Sequence, residues 1–234
     1  MSHLKVKIYA DGAHEEQMLS QYRSGVVAGF TTNPSLMAKA GVVDYEVFAR
    51  KLLSSIDLPI SFEVLADDPE TIQRQAFRIA TWGSHAVVKI PITNTRGISL
   101  LPVCRNLLDG GLKLNVTALF TLSQLEQLQA MLKPQDEVIV SIFAGRIADT
   151  GRDPVPLMKQ AVNLYAPLPN AKILWASCRE TFNLYQADAC GCHIITATQD
   201  QMSKLPLFGK SLEKCSLETI EDFYRDAQRA GWTL

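Results

Sequence analysis

The chain predicts an α/β fold: a single (β/α)8 (TIM) barrel of parallel strands, each followed by a helix, with an additional C-terminal helix. Three observations predict it. Short runs rich in β-branched residues alternate with longer amphipathic stretches throughout. Eight such pairs fit into 234 residues, which suits one closed barrel better than an open sheet. No stretch rich in Gly, Pro or Ser divides the chain, so residues 1–234 read as one domain.

The elements follow in order. A strand at 6–10 precedes a helix near 14–22, and a strand at 25–31 precedes a helix at 45–56. The third strand, 60–65, leads to a helix at 69–81, where Asp67-Asp68-Pro69-Glu70 supplies capping carboxylates, a first-turn proline and an acidic first turn. The fourth strand, 86–92, precedes a helix at 97–108 that Gly110-Gly111 ends. The fifth, 112–118, precedes a helix at 122–132, with Thr121 and Gln124 spaced as a capping box. Strands at 137–143, 172–176 and 193–197 precede helices at 155–165, 181–187 and 199–205. Beyond the eighth unit, 216–230 reads as an extra helix carrying Leu217, Ile220, Phe223, Tyr224 and Ala227. That stripe must pack on its own barrel or on a neighbouring subunit.

Composition excludes several partners. The net charge of −1 provides no basic field for nucleic acid, and no Lys/Arg cluster points to a membrane surface. Met1-Ser2-His3-Leu4-Lys5-Val6-Lys7 lacks the apolar region of a secretory signal, and no run reaches the ~18 residues of a spanning helix. A cytoplasmic location is expected. The five cysteines are odd in number and irregularly spaced, and Cys190-Gly191-Cys192 is neither a redox nor a zinc pattern. With only four scattered histidines, no metal site and no disulfide framework are expected, and the cysteines read as reduced thiols.

The informative residue is Lys89, which interrupts Ala86-Val87-Val88-Lys89-Ile90-Pro91-Ile92-Thr93. Lysine is rarely buried without a reason. A dry interior disfavours an ammonium ion, and a neutral amine there can attack a carbonyl to form a Schiff base. A plainer reading also fits: a strand-end lysine that snorkels to water or pairs with a carboxylate.

In a barrel, reactive groups belong at the C-terminal strand ends. There the chain places Asp11, Thr31 and Asn33, Glu63, Lys89, Asn115 and Thr117, Ser141, Phe143 and Arg146, then Ser177 and Arg179. Each has a structural reading when taken alone. Asp11 can cap a helix, Asn33-Pro34 can be a turn, and Asn115 and Thr117 can bond to backbone. Arg146 can pair with Asp149 or Asp153, and Arg179 with Glu180. Together they surround one mouth with an amine, two carboxylates, neutral hydroxyls and amides, and two arginines. That set suits a phosphorylated polyol, because guanidinium groups bind phosphate through forked donors.

Thr31-Thr32-Asn33-Pro34-Ser35, Phe62-Glu63-Val64, Val88-Lys89-Ile90-Pro91, Asn115-Val116-Thr117, Ser141 to Ile147 and Trp175-Ala176-Ser177-Cys178-Arg179 together resemble the transaldolase family. The match runs in order over most of the chain and is similar to the small-subunit branch that includes fructose-6-phosphate aldolases. The resemblance implies a class I mechanism with no metal or cofactor. In it, Lys89 forms the Schiff base with a ketose carbonyl. Asp11 takes the proton of the C4 hydroxyl as the C3–C4 bond breaks, and Glu63 and Thr117 hold a proton-shuttling water. Thr31, Asn33, Asn115, Ser141, Phe143 and Ser177 line the sugar, and Arg146 and Arg179 bind the terminal phosphate.

Aldolase-type members carry glutamine at the position of Glu63 and tyrosine at that of Phe143, so this chain resembles the transferase type. A tyrosine hydroxyl can protonate the bound carbanion and free dihydroxyacetone, whereas phenylalanine cannot. The expected activity is reversible transfer of a dihydroxyacetone unit between sugar phosphates, as in the pentose phosphate pathway. A lyase releasing free dihydroxyacetone and a non-catalytic sugar-phosphate-binding barrel are the alternatives. Gly12, Cys178 and the 91–97 stretch depart from the family pattern and bear on substrate range. The family also implies a homo-oligomer, pentameric or decameric, with a dimer and a monomer as the other possibilities.

Overall fold

A computed structural model describes residues 4–233 of the chain, so the first three residues of the amino-terminal stretch and Leu234 lie outside it. The strands are β1 (Lys7–Asp11), β2 (Gly29–Thr31), β3 (Ile60–Glu63), β4 (Ala86–Pro91), β5 (Leu114–Leu119), β6 (Val138–Ile142), β7 (Ala171–Trp175) and β8 (Ile194–Ala197). Each pairs in parallel with its sequence neighbour, and β8 closes on β1. The helices are α1 (Glu15–Ser24), α2 (Pro34–Lys39), α3 (Tyr45–Ser55), α4 (Pro69–Ala80), α5 (Leu101–Asp109) and α6 (Leu122–Met131). They continue with α7 (Ala144–Asp149), α8 (Val155–Tyr165), α9 (Phe182–Ala189), α10 (Gln199–Met202) and α11 (Leu212–Ala230). The architecture is the (β/α)8 barrel with a C-terminal helix that the alternation predicts.

Local chemistry starts the helices where the sequence signals them. The Asp68 carboxylate accepts from the Thr71 N–H at 2.8 Å with Pro69 in the first turn, and both bonds of the Thr121–Gln124 capping box are made. Asp67 has a different task. It accepts from the backbone and hydroxyl of Thr95, at 2.7 and 2.8 Å, and ties down the loop after β4. That loop accounts for one correction. The helix expected from residue 97 begins at Leu101, because Gly97 (φ 74°) and a bridge between Thr93 and Ser99 form a tight turn first.

Two short helices are absent from the sequence reading. α2 follows β2, with Asn33 as its cap and Pro34 as its first residue; α7 follows β6. The C-terminal helix begins one turn before residue 216, where the Ser211 hydroxyl accepts from the Lys214 N–H.

The apolar interior has two parts. The larger lies between strands and helices. The smaller, Tyr9, Val87, Ile139, Leu174, Ala176 and Ile194, fills the barrel itself, and Leu174 and Ala176 reach up to line the cavity at its C-terminal end. Gly29 makes room for it: a Cβ there would meet the Tyr9 ring at 2.5 Å. α11 stands apart. It buries no residue, and Leu217, Ile220, Phe223 and Tyr224 are 56–69% exposed, so its stripe does not pack on its own barrel. Among the described residues no helix is long and apolar enough to cross a membrane.

Candidate active site

Side chains two apart on a strand face the same way. From the inner apolar cluster, one step of two toward the C-terminal end leads from Tyr9 to Asp11, from Val87 to Lys89, from Ile139 to Ser141 and from Ile194 to Thr196. The same step on β2 and β5 leads from Gly29 to Thr31 and from Asn115 to Thr117. A polar layer therefore rests on an apolar plug, at the barrel end where such folds do chemistry. Above it opens a cavity of about 360 Å³ lined by Asp11, Thr31, Asn33, Lys89, Thr117, Ser141, Phe143, Arg146, Ser177 and Arg179.

Lys89 is 6% exposed. Its amine donates to the Thr32 carbonyl at 3.0 Å and lies 3.1 Å from Glu63 Oε2. The strand register sets the second contact, since Glu63 and Lys89 are direct partners across β3 and β4. Glu63 is fixed from behind, where the Tyr45 hydroxyl donates to its carbonyl at 3.0 Å while the Tyr45 ring packs edge-on against Trp82 and Phe62. Glu63 also borders a separate cavity between α3 and α4, so it reaches the amine without lining the mouth.

Asp11 accepts from the Thr31 hydroxyl at 2.8 Å. Burial raises its carboxyl above the usual aspartate range, and Lys89 and the Thr31 bond pull it partly back. A carboxylate so placed suits the removal of a hydroxyl proton. The Thr117 hydroxyl is buried and has no protein partner. The β5–β6 register shifts just after it, with Ala118 at φ 60°. A buried orphan hydroxyl on the wall of the cavity that Lys89 also lines suits contact with substrate or water.

Asn33 and Asn115 have structural bonds of their own. Asn33 spends its carbonyl oxygen on the Leu36 N–H at 2.9 Å, which leaves its amide N–H group for the cavity. Asn115 lies a step deeper, fully buried, donating to Ser61 Oγ at 3.0 Å and accepting from Ser141 Oγ at 2.7 Å. Its contribution to the wall therefore passes through Ser141, which does line the cavity.

The arginines stand on one side of the mouth. Arg146 on α7 lies over the Phe143 ring at 5.0 Å, with neither Asp149 nor Asp153 as its partner. Arg179 pairs with Asp149, not Glu180: its Nε and Nη2 reach the Asp149 carboxylate at 2.5–3.0 Å. The β7 end is strained, with Ser177 at φ 63°. Cys178, on the same loop, donates to the Glu180 carbonyl; burial pushes its thiol up to about 12, so it brings no thiolate to the wall.

Other contributors escaped sequence reasoning. Thr196 follows the two-residue rule from Ile194 and could have been found by it. Lys39 closes the mouth from α2, an element with no amphipathic signal. Gln201 donates to the Cys178 carbonyl and accepts from the Thr198 N–H, both at 2.8 Å, and so joins the β7 and β8 loops.

Comparison with known proteins gives the family of the chain. The family model described as Transaldolase/Fructose-6-phosphate aldolase matches residues 8–234. A probable transaldolase of Thermoanaerobacter sp. (strain X514) is 32% identical over 231 residues, covering 97% of this chain and 99% of the relative. Another, from Desulforamulus reducens, is 32% identical over 211 residues, 88% of this chain and 93% of its own. A probable transaldolase of Streptococcus equi subsp. equi is 35% identical over 211 residues, 89% and 91% of the two chains. A family match over nearly the whole chain and relatives of this identity and coverage establish that the chain belongs to the transaldolase/fructose-6-phosphate aldolase family.

Proposed function

We propose that the protein is a transaldolase, moving a dihydroxyacetone unit from fructose 6-phosphate or sedoheptulose 7-phosphate to an aldose phosphate through a Schiff base on Lys89. The observation that carries the reading is the buried Lys89 amine, 3.1 Å from Glu63 and open to a cavity that Asp11 also lines. The amine adds to the ketose C2 carbonyl. Glu63, with a water on Thr117, supplies and removes the protons that convert the adduct to an iminium ion. Asp11 takes the C4 hydroxyl proton as the C3–C4 bond breaks and the first aldose phosphate leaves. The iminium holds the electron pair as an enamine, which then attacks the acceptor aldehyde. Arg146 and Arg179 hold the terminal phosphate.

Phe143 favours transfer over release. It lines the cavity without a hydroxyl and packs 5.6 Å from Phe120. Phenylalanine offers no hydroxyl to protonate the enamine, so the three-carbon unit stays bound until an acceptor arrives. The relatives' printed names support the same choice. The sugars are those of the pentose phosphate pathway, and the reading places the protein in the cytoplasm. The uncovered apolar face of α11 supports a homo-oligomer in which that helix packs on another copy.

The test is glyceraldehyde 3-phosphate release from fructose 6-phosphate, with and without erythrose 4-phosphate. Acceptor-dependent release is expected. Equal release without acceptor makes the protein an aldolase, and no release in either case leaves a barrel that binds sugar phosphate without reacting.

A further inference from the structure

The Asp149–Arg179 pair is the best-formed contact at the mouth. Each partner is about half exposed, at 51% and 45%, and pairs that open to water add little to fold stability. Its geometry is more telling. Asp149 takes the Nε edge of the guanidinium through three contacts of 3.0, 3.0 and 2.5 Å. Of the five N–H donors of an arginine, both on Nη1 and one on Nη2 remain, and they lie on the edge away from Asp149.

The surroundings hold this arrangement rigid. α7 rests on the β7 loop so closely that a Cβ on Gly145 would lie 1.6 Å from the Ser177 carbonyl oxygen. The Gly145 N–H donates to the Ala176 carbonyl at 3.3 Å. The Arg179 backbone N–H donates to Asn183 Oδ1 at 2.8 Å. Asp149 stands three residues after Arg146, so both share one face of α7. The carboxylate therefore lies on the same helix face as one arginine and grips the other.

We propose that Asp149 is a positioning residue for the substrate's phosphate. It turns the free edge of Arg179 toward the group that Arg146 also meets, and its negative charge relieves repulsion between the two cations while the site is empty. The proposal rests on the reading of Arg146 and Arg179 as phosphate ligands. It opposes the other meaning of the same contact, in which Asp149 competes with phosphate for Arg179.

The test compares Asp149→Ala, Asp149→Asn, Arg179→Ala and the Asp149→Ala/Arg179→Ala double variant. Donors are fructose 6-phosphate and fructose, with glyceraldehyde as acceptor. Calorimetric binding of inorganic phosphate adds a readout that needs no turnover. Asp149→Ala is expected to raise KM for fructose 6-phosphate and Kd for phosphate about tenfold, with kcat and KM for fructose moving less than about twofold. On the Arg179→Ala background it should add nothing, because its effect passes through that side chain. Unchanged or tighter phosphate binding in Asp149→Ala overturns the proposal, as does full additivity in the double variant. The Arg179→Ala variant separates the two failures. If it loses phosphate binding while Asp149→Ala does not, only the role of Asp149 falls. If it binds phosphate normally, the phosphate site itself lies elsewhere.

Discussion

Gly145→Ala should damage the mouth from a position that touches no substrate. The added Cβ would sit 1.6 Å from the Ser177 carbonyl oxygen, 2.7 Å from its carbonyl carbon and 3.1 Å from Arg179 Cγ. Two of those atoms are backbone, so no rotamer change relieves the clash. Restoring an ordinary contact requires α7 and the β7 loop to part by about 1.8 Å. The Gly145–Ala176 hydrogen bond then breaks, Arg146 moves with α7, and the reach of Asp149 to Arg179 is lost. Overpacking of this kind costs about 1–3 kcal/mol, and Tm falls about 2–4 °C per kcal/mol in a chain of this size. A displacement above 1 Å near a reacting substrate lowers kcat/KM about 10²-fold. The assay is acceptor-dependent transfer from fructose 6-phosphate beside a calorimetric melt. Transfer within about threefold of the parent protein, with Tm unchanged, would show that the two loops are free to separate and would refute the argument.

Four further outcomes are expected. Lys89→Ala should abolish the borohydride-trapped adduct with fructose 6-phosphate while the protein stays folded; an adduct in the intact mass of that variant would move the Schiff base to another residue. Phe143→Tyr should raise acceptor-independent release of glyceraldehyde 3-phosphate, and a flat rate would remove Phe143 as the determinant of transfer. The acid limb of kcat/KM should follow Asp11, whose ionised form is the base. Because the Thr31 hydroxyl stabilises that carboxylate, Thr31→Val should raise its pKa and move the limb to higher pH, and a shift to lower pH would contradict the assignment. Replacing Ile220 and Phe223 together by Glu should reduce the sedimenting mass to that of one 25.9 kDa chain, whereas an unchanged mass would place the subunit contact elsewhere.

The strands were legible as short β-branched runs set between longer amphipathic stretches, and the caps because Asp68, Thr121 and Gln124 are local signals. α2 and α7 were not legible. Each is six residues long, too short for an apolar period to emerge, and each owes its place to contacts distant in sequence. Gly145 is one example, since the carbonyl that forbids a side chain there belongs to Ser177. The partner of Arg179 was missed for a related reason. Glu180 is its neighbour in the chain, but successive residues rarely face one another, and the pair forms across two loops with Asp149. The sequence names a charged residue and leaves its partner to tertiary structure.

The distribution of polarity along the strands explains why the chemistry sits where it does. Below Lys89 on the same face lies Val87, part of a plug with Tyr9, Ile139, Leu174 and Ile194 that closes the barrel axis. Thr31, Thr117 and Ser141 line the approach to the amine from the mouth. Beside the amine, strand register rather than loop conformation fixes Glu63, and β1–β2 pairing fixes Asp11 against Thr31. The groups that move protons are thus built into the rigid sheet. The groups assigned to the phosphate, Arg146 and Arg179, stand on a short helix and a loop. Changes in those loops can alter which sugar phosphate binds without disturbing the amine and its two carboxylates. Gly12, Cys178 and the 91–97 stretch, the places where this chain departs from the family pattern, lie at or beyond strand ends and leave that rigid layer intact.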